Sequence, residues 1–269
     1  MNIFPWAHRK TSWAAALFLC AGLLNVSAQN QKKLLVVTVT IGFPHSSVTT
    51  AEKVLAELGE KSGLYTIDVI RSGPRPKDKE EEMKWEEKVK SELAEKMSLE
   101  ALKKYDGVVF ANTTGDLPLP DREGFLNWIK SGKAFIATHS GSDTFHGFPP
   151  YIEMLGGEFL THNAQATVEC LNDDPKHPAT KHLGKSLTVH DEIYLQKNFH
   201  RDQVHGLLGL DKHPNTGMPG DYPIAWCKDY GKGKVFYTAL GHFPSAYEDV
   251  RFLGHLYGGL EWTLAAPPA

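Results

Sequence analysis

The 269-residue chain has little cysteine: Cys20, Cys170 and Cys227 are the only three. So few thiols argue against a fold stapled by several disulfides. Excess positive charge is missing too, since 29 Lys and Arg stand against 32 Asp and Glu. That balance argues against a nucleic-acid or anionic-membrane binder. No apolar run reaches the roughly 20 residues of a membrane span, so membrane insertion is not expected. Compact HxxxH and HExxH spacings are absent, so any metal site would have to be assembled from distant parts of the chain. There is no internal repeat, and no low-complexity tract outside one charged segment.

The first 28 residues have the order of an export leader. His8-Arg9-Lys10 is a basic start, Trp13 to Leu24 is an apolar run of leader length, and Val26-Ser27-Ala28 offers small residues for cleavage. Cys20 follows Leu19, which is too bulky for a good lipid-attachment box. Cleavage after Ala28 and a secreted or periplasmic location are expected. Residues 29–269 are then long enough for one large α/β domain. Loss of the leader removes Arg9 and Lys10 and no acid, so the remainder is more acidic still. Cys170 and Cys227 sit in strand-like stretches and read more readily as buried thiols than as a disulfide, with pairing left open.

Hydropathy spacing gives alternating strands and helices. Lys33 to Thr40 is a continuous β-branched run, as in a parallel strand buried on both faces, and Val48 to Ser62 has helical apolar spacing closing at Gly63. Tyr65 to Arg71 is a second strand. Lys77 to Lys104, crowded with Glu and Lys, predicts one or two surface helices. Gly107 to Ala111 is a third strand, Asp121 to Ser131 a helix, and 133–138 a fourth strand. Beyond a short helix at Tyr151 to Leu155, strands are predicted at Ala166 to Leu171 and Ser186 to Val189. A hairpin is predicted around Asp229-Tyr-Gly-Lys-Gly233, and a terminal helix over Glu248 to Leu264. The fold class is α/β: an open, mainly parallel sheet flanked by helices, with extra C-terminal strands.

The fourth strand ends in Ala137-Thr-His139-Ser-Gly141, which has the small-residue spacing of a nucleophile elbow with histidine at the apex. An imidazole there suits metal binding or proton transfer better than acyl chemistry, and Ser140 is expected to point away from the apex. All but one of the 13 histidines lie beyond the leader. His45 follows strand one, His139 and His146 the fourth strand, and His242 the last strand, all where ligand sites form in open α/β sheets. His162 follows a Gly156-Gly157 turn. His45, His139, His162 and His242 are candidate ligands for a divalent ion, Zn²⁺ first. Glu192, His139 and His242 are candidates for moving protons. His146, Asp191, Tyr194 and Trp226 are candidates for holding substrate. His177, His182, His190, His200, His205, His213 and His255 read as surface, capping or core residues.

An ordered set of signatures resembles one family across nearly all of the mature chain. The set comprises Gly42-Phe-Pro-His45, Tyr105-Asp106, Thr138-His139-Ser140, Gly156-Gly157-x-Phe159-x-x-His162 and His177-Pro178. It continues with Asp191-Glu192-x-Tyr194, Pro223-x-x-Trp226, Gly231-Lys-Gly-Lys-Val-Phe-Tyr237 and Leu240-Gly241-His242. Together these resemble the ThuA-like, or trehalose-utilisation, family. The resemblance implies a fold similar to class I glutamine amidotransferases, of flavodoxin-like type, and a role in catabolism of disaccharides, 3-keto sugars included. Two departures stand out: the family's usual Gly-Ile-His at the elbow is Ala137-Thr138-His139 here, and the charged segment from Lys77 to Met97 is long. An amidotransferase needs a cysteine at the elbow. His139 stands in its place, so that activity is not expected.

Two functional classes follow. One is a secreted enzyme acting on a sugar by hydrolysis, elimination or isomerisation at a His-rich, metal-bound site. The other is a non-catalytic carbohydrate-binding domain, with Trp226, Tyr194 and Phe145 as stacking walls. In either case the partner is a small sugar, and self-association into a homo-oligomer is left open.

Overall fold

The computed structural model describes residues 31–265. The leader and its cleavage site lie outside the described residues. In chain order the elements begin with β1 (Lys32–Thr38), α1 (Val48–Ser62), β2 (Tyr65–Arg71), α2 (Lys79–Lys96), α3 (Leu99–Leu102), β3 (Gly107–Ala111), α4 (Arg122–Lys130) and β4 (Ala134–Thr138). They continue with α5 (Pro149–Leu155), β5 (Glu158–His162), β6 (Ala166–Asn172), β7 (Ser186–Asp191), β8 (Tyr194–Lys197), β9 (His205–Lys212), β10 (Pro219–Tyr230), β11 (Gly233–Thr238) and α6 (Val250–Leu264).

One sheet of nine strands has the order β2-β1-β3-β4-β11-β10-β9-β6-β7. Its first five strands run parallel and the remaining four pair antiparallel. Residues alternate between the two faces of β1: Leu34 and Val36 join the core beneath α1 and α6, while Leu35 and Val37 join the core beneath α2 and α4. Burial on both faces explains why the parallel strands read as unbroken apolar runs. Their parallel pairing brings the carboxyl ends of β1, β3, β4 and β11 to one edge.

The charged segment forms α2 and α3. Asp78 caps α2 by accepting from the backbone N–H groups of Glu80 and Glu81, and Trp85, Val89 and Leu93, spaced by four, form its one buried stripe. Trp85 Nε1 donates to the Ser72 carbonyl at 2.6 Å and anchors the helix to the end of β2.

Sequence reading missed three strands, β5, β8 and β9. The first two form a separate antiparallel ribbon, and β9 is a polar-ended strand interrupted by Gly206 and Gly209. Strands paired by distant partners carry weak local signals, because tertiary hydrogen bonding supplies what propensity does not. The terminal helix starts slightly later than expected, at Val250, with Asp249 accepting from the Arg251 N–H. No helix among the described residues is long and apolar enough to cross a membrane. Cys170 and Cys227 are buried free thiols.

Trp226 on β10 is 0 % exposed. Its ring packs against Tyr237 and Phe199 at centroid distances of 4.5 and 4.9 Å, and its Nε1 donates to the Leu155 carbonyl at 2.7 Å. Trp226→Ala is expected to lower the unfolding free energy by about 3–5 kcal/mol, read from urea denaturation. A change under about 1 kcal/mol would contradict the core placement, since surface substitutions fall in that range.

Candidate metal centre

Three strands deliver three imidazoles to one point. His45 sits in the loop after β1, His139 follows β4 directly, and His242 lies in the loop after β11. Of these, His139 needs the most unusual backbone. It has φ 43°, in the left-handed region, where the strand turns into a short 3₁₀ segment over His139–Asp143. Gly141 is required two residues on, because a Cβ there would approach Ala137 Cβ at 2.7 Å. The turn is an elbow, as the spacing predicted, and it aims the imidazole inward.

The tautomer of His139 follows from its partners. Nδ1 lies 2.9 Å from the Ala239 carbonyl, which can only accept, so Nδ1 carries the hydrogen and Nε2 keeps its lone pair. Nε2 is 3.1 Å from His242 Nδ1 and 3.6 Å from Glu192 Oε2, and His242 Nδ1 is 3.2 Å from the same carboxylate oxygen. His45 completes the cluster, with Nδ1 3.2 Å from Ser140 Oγ and Nε2 3.4 Å from the Tyr194 hydroxyl. Ser140 therefore turns toward His45, contrary to expectation. It is completely buried, so its contact is with that ring rather than with solvent.

His45, His139, Glu192 and His242 each offer one ligand atom, all within 4.8 Å of one another. Among His139, Glu192 and His242, separations of 3.1, 3.2 and 3.6 Å bracket the roughly 3.3 Å edge of a tetrahedron with metal–donor bonds of about 2.0–2.1 Å. Three nitrogens and one carboxylate oxygen suit Zn²⁺ or a similar divalent ion, and the hydrogen bond to the Ala239 carbonyl is the outer support that fixes a ligand's tautomer. The cluster could hold a metal ion.

Its electrostatics favour the same use. Burial, then the neighbouring His139 and His242, push the His45 imidazolium down to about 3. Burial and His139 also lower His242. Burial works to raise Glu192, but the close approach of His139, His242 and His162 outweighs it, so its carboxyl falls below the usual range. Two neutral imidazoles and an ionised carboxylate then face one point at neutral pH.

Several expected roles change. His162 is not among the four converging donors; Glu192 takes that place. Half-exposed His162 instead pairs through Nδ1 with the other carboxylate oxygen, Glu192 Oε1, at 3.3 Å, and with the Asn163 carbonyl at 3.0 Å. Asp191 is buried beneath the cluster. Its carboxylate accepts from the N–H groups of Gly241 and His242 at 2.8 and 3.2 Å and so sets the His242 loop. Tyr194 is buried against the His139 ring, with centroids 4.2 Å apart. Trp226 and Phe145 are core residues and offer no ring face to a sugar. His146 bonds Asp143 and Glu158 in the wall of a neighbouring cavity that contains none of the four donors.

Two features had escaped sequence reading. Asn112, at φ 54°, is fully buried and joins three loops: Nδ2 donates to Ser47 Oγ and the Gly241 carbonyl at 2.7 and 2.9 Å, and Oδ1 accepts from Thr138 Oγ1 at 2.7 Å. Its position directly after β3 was the available signal. Phe43, two residues before His45, is 66 % exposed and packs edge-on to that histidine at 5.2 Å, while Phe243 packs edge-on to His242 at 4.6 Å. These rings, not Trp226 or Phe145, border the cluster.

Known proteins resemble the chain in both sequence and fold. The ThuA family, described as trehalose utilisation, matches residues 33–263. A ThuA-like protein from Parabacteroides merdae superposes with a TM-score of 0.68 at 19% identity, over 87% of this chain and 90% of the other. Another from Bacteroides uniformis gives 0.66 at 20% identity, over 86% and 91%. A cold-adapted β-galactosidase from Rahnella sp. R3 gives 0.50 at 17% identity, over 88% of this chain but 32% of the enzyme. At these identities the structural likenesses show the fold, an α/β sheet of the class I amidotransferase-like kind. No curated protein matches the sequence.

The lowered His45 makes a pH prediction for the metal-free protein. An imidazole in the unfolded chain titrates near ~6.5, whereas His45 in the folded protein titrates only near about 3. Between those values the unfolded chain holds a proton that the folded chain does not, so this contribution to stability is complete above the higher value and lost as pH falls toward the lower. His177 and His255, each lowered to about 4 mainly by burial, act with the same sign. Between pH ~7 and ~5 the urea midpoint of the chelator-treated protein should therefore fall. His45→Asn should lose less over that interval, and an equal loss in both proteins would contradict a buried, neutral His45.

Proposed function

This chain belongs to the ThuA, or trehalose-utilisation, family, and on that premise we propose that it is a metal-assisted enzyme acting on a small glycoside or disaccharide, keto-sugars included, by hydrolysis, elimination or isomerisation. The observation that carries this reading is the division of labour at Glu192: one carboxylate oxygen faces the histidine cluster and the other faces His162. An ion held by His45, His139, Glu192 and His242 would polarise a carbonyl or hydroxyl of the sugar.

The chain's own residues supply the rest. His139 is fixed by the Ala239 carbonyl with its lone pair directed into the site, and buried His45 has no proton to lose before it can act as a donor. His162 is held at Nδ1 by Glu192 and Asn163, which leaves Nε2 of a half-exposed ring to take or deliver a proton. Phe43 and Phe243 provide apolar ring surface beside the donors, as sugar C–H faces require. Carbohydrate chemistry in the family description and the fold shared with part of a β-galactosidase support the substrate class. Export is supported by the basic, apolar and small-residue order of residues 1–28. Intact-mass measurement of protein from the native envelope fraction should find a chain starting at Gln29; one starting at Met1 would remove the export reading.

Two variants test the chemistry. His139→Asn keeps a residue that tolerates the left-handed turn while removing the imidazole. It should lower metal affinity at least about tenfold, by elemental analysis after dialysis, and abolish keto-disaccharide conversion. His162→Gln should retain the metal and lose roughly 10²-fold or more in kcat. Unchanged conversion in both would remove the metal-assisted mechanism and place the chemistry away from the histidine cluster. A wild-type protein whose melting shifts with sugar but which leaves the sugar unaltered would establish a carbohydrate-binding domain instead.

A further inference from the structure

The strand β8 begins just after Glu192, and its first side chain, Tyr194, enters the space among the residues assigned to the chemistry. Its register places it opposite His162 on β5. The Tyr194 ring lies 4.2 Å from that of His139 and 6.0 Å from that of His162, inclined to the latter by only 22°, while Phe159 backs it at 4.2 Å. At 3 % exposure, with rings on several sides, the phenol has little room to swing away. Its hydroxyl lies 3.4 Å from His45 Nε2 and has no other hydrogen-bond partner among the described residues. A phenol titrates near ~10, and burial, Tyr237 and the nearby acids Glu192, Asp143 and Asp191 move this one higher still, so it remains an O–H donor.

That hydroxyl and a divalent ion draw on the same lone pair. His45 Nδ1 is turned toward Ser140 Oγ at 3.2 Å, so Nε2 is the nitrogen left to face the cluster. With no ion bound, Nε2 and the Tyr194 hydroxyl satisfy each other. A neutral imidazole that gives its Nε2 lone pair to an ion must carry its hydrogen on Nδ1, where Ser140 Oγ can accept it. Tyr194 then keeps its donor and loses its acceptor. A buried O–H in that state bears the full desolvation penalty until an oxygen arrives beside it, and the histidine cluster is where a sugar oxygen would arrive. His162 differs from Tyr194 in this respect: its ring is half-exposed and its Nδ1 is already held by Glu192 and Asn163.

We propose that Tyr194 is a catalytic residue of the sugar reaction: its hydroxyl donates a hydrogen bond to the carbonyl or hydroxyl oxygen of the sugar that reacts at the histidine cluster. This role rests on the sugar-enzyme reading and adds to it a fixed donor supplied by the chain itself. Such a bond strengthens as negative charge develops on the oxygen, and a ring already packed in place needs no reorganisation to make it. The two residues that face each other across the ribbon then divide the work, His162 moving a proton and Tyr194 holding the charged oxygen.

The test compares wild type with Tyr194→Phe, both loaded with zinc and then dialysed, using 3-ketotrehalose as the probe. Phenylalanine keeps the ring against His139 and Phe159 and removes only the hydroxyl. Zinc content, by elemental analysis, should equal or exceed that of wild type, because the variant lacks the group that competes for His45 Nε2. Its kcat should fall roughly 10²–10³-fold, the usual effect of losing one donor to a developing oxyanion, with KM little changed. Unchanged conversion by the variant, beside a wild type that converts the sugar, would overturn the assignment and leave the enzyme reading standing. A rise in KM alone would make the hydroxyl a binding contact and overturn its catalytic role. Loss of zinc together with conversion would also overturn it, since Tyr194 would then only shape the metal centre. A wild type that leaves the sugar unconverted would remove both readings.

Discussion

Three loops that carry the histidines leave the sheet from separate strands, and one buried amide holds them together. Asn112 at the end of β3 bonds Ser47 beside His45, Thr138 before His139, and Gly241 before His242. Each loop alone has several ways to leave its strand; a side chain with two donors and an acceptor, fully shielded from water, narrows the choice because any unmade bond there would cost the whole desolvation penalty. Asp191 applies the same constraint from the other side, accepting from the Gly241 and His242 amides. The site is therefore set by polar groups buried beneath it.

Such tight convergence has an electrostatic consequence. Buried imidazoles placed side by side cannot all be protonated, and His45 and His242 are both pushed toward the neutral form. Ionised Glu192 is left opposite them. An arrangement that penalises protons and presents lone pairs has a natural complement in a divalent cation, and the Ala239 carbonyl has already chosen the His139 tautomer for it. The elbow apex is an imidazole, and Ser140, though it reaches His45, lies completely buried.

The ribbon formed by β5 and β8 borders this centre. It places His162 against Glu192 at one end and the Glu158 network at the other, with Phe159 between them. The centre thus combines two scales of structure, the parallel sheet that gathers the donors and a small antiparallel addition that sets His162 beside Glu192.

By itself, the sequence determined the α/β class, the parallel strands and the edge on which His45, His139 and His242 would appear, because strands buried on both faces print their burial as apolar runs and the residues just after them must lie at the carboxyl edge. It also revealed the elbow, whose glycine is demanded by local backbone sterics. The tertiary structure alone decided which residues among the acids and aromatics serve the site. Glu192 rather than His162 joins the donors, Asp191 braces a loop from below, and Trp226 and Phe145 disappear into the core while Phe43 and Phe243 border the cluster. Neighbouring Asp191 and Glu192 are chemically alike and differ only in which way the chain turns between β7 and β8. That direction, and the pairing of β5 with β8, come from long-range contacts that leave no period in the sequence.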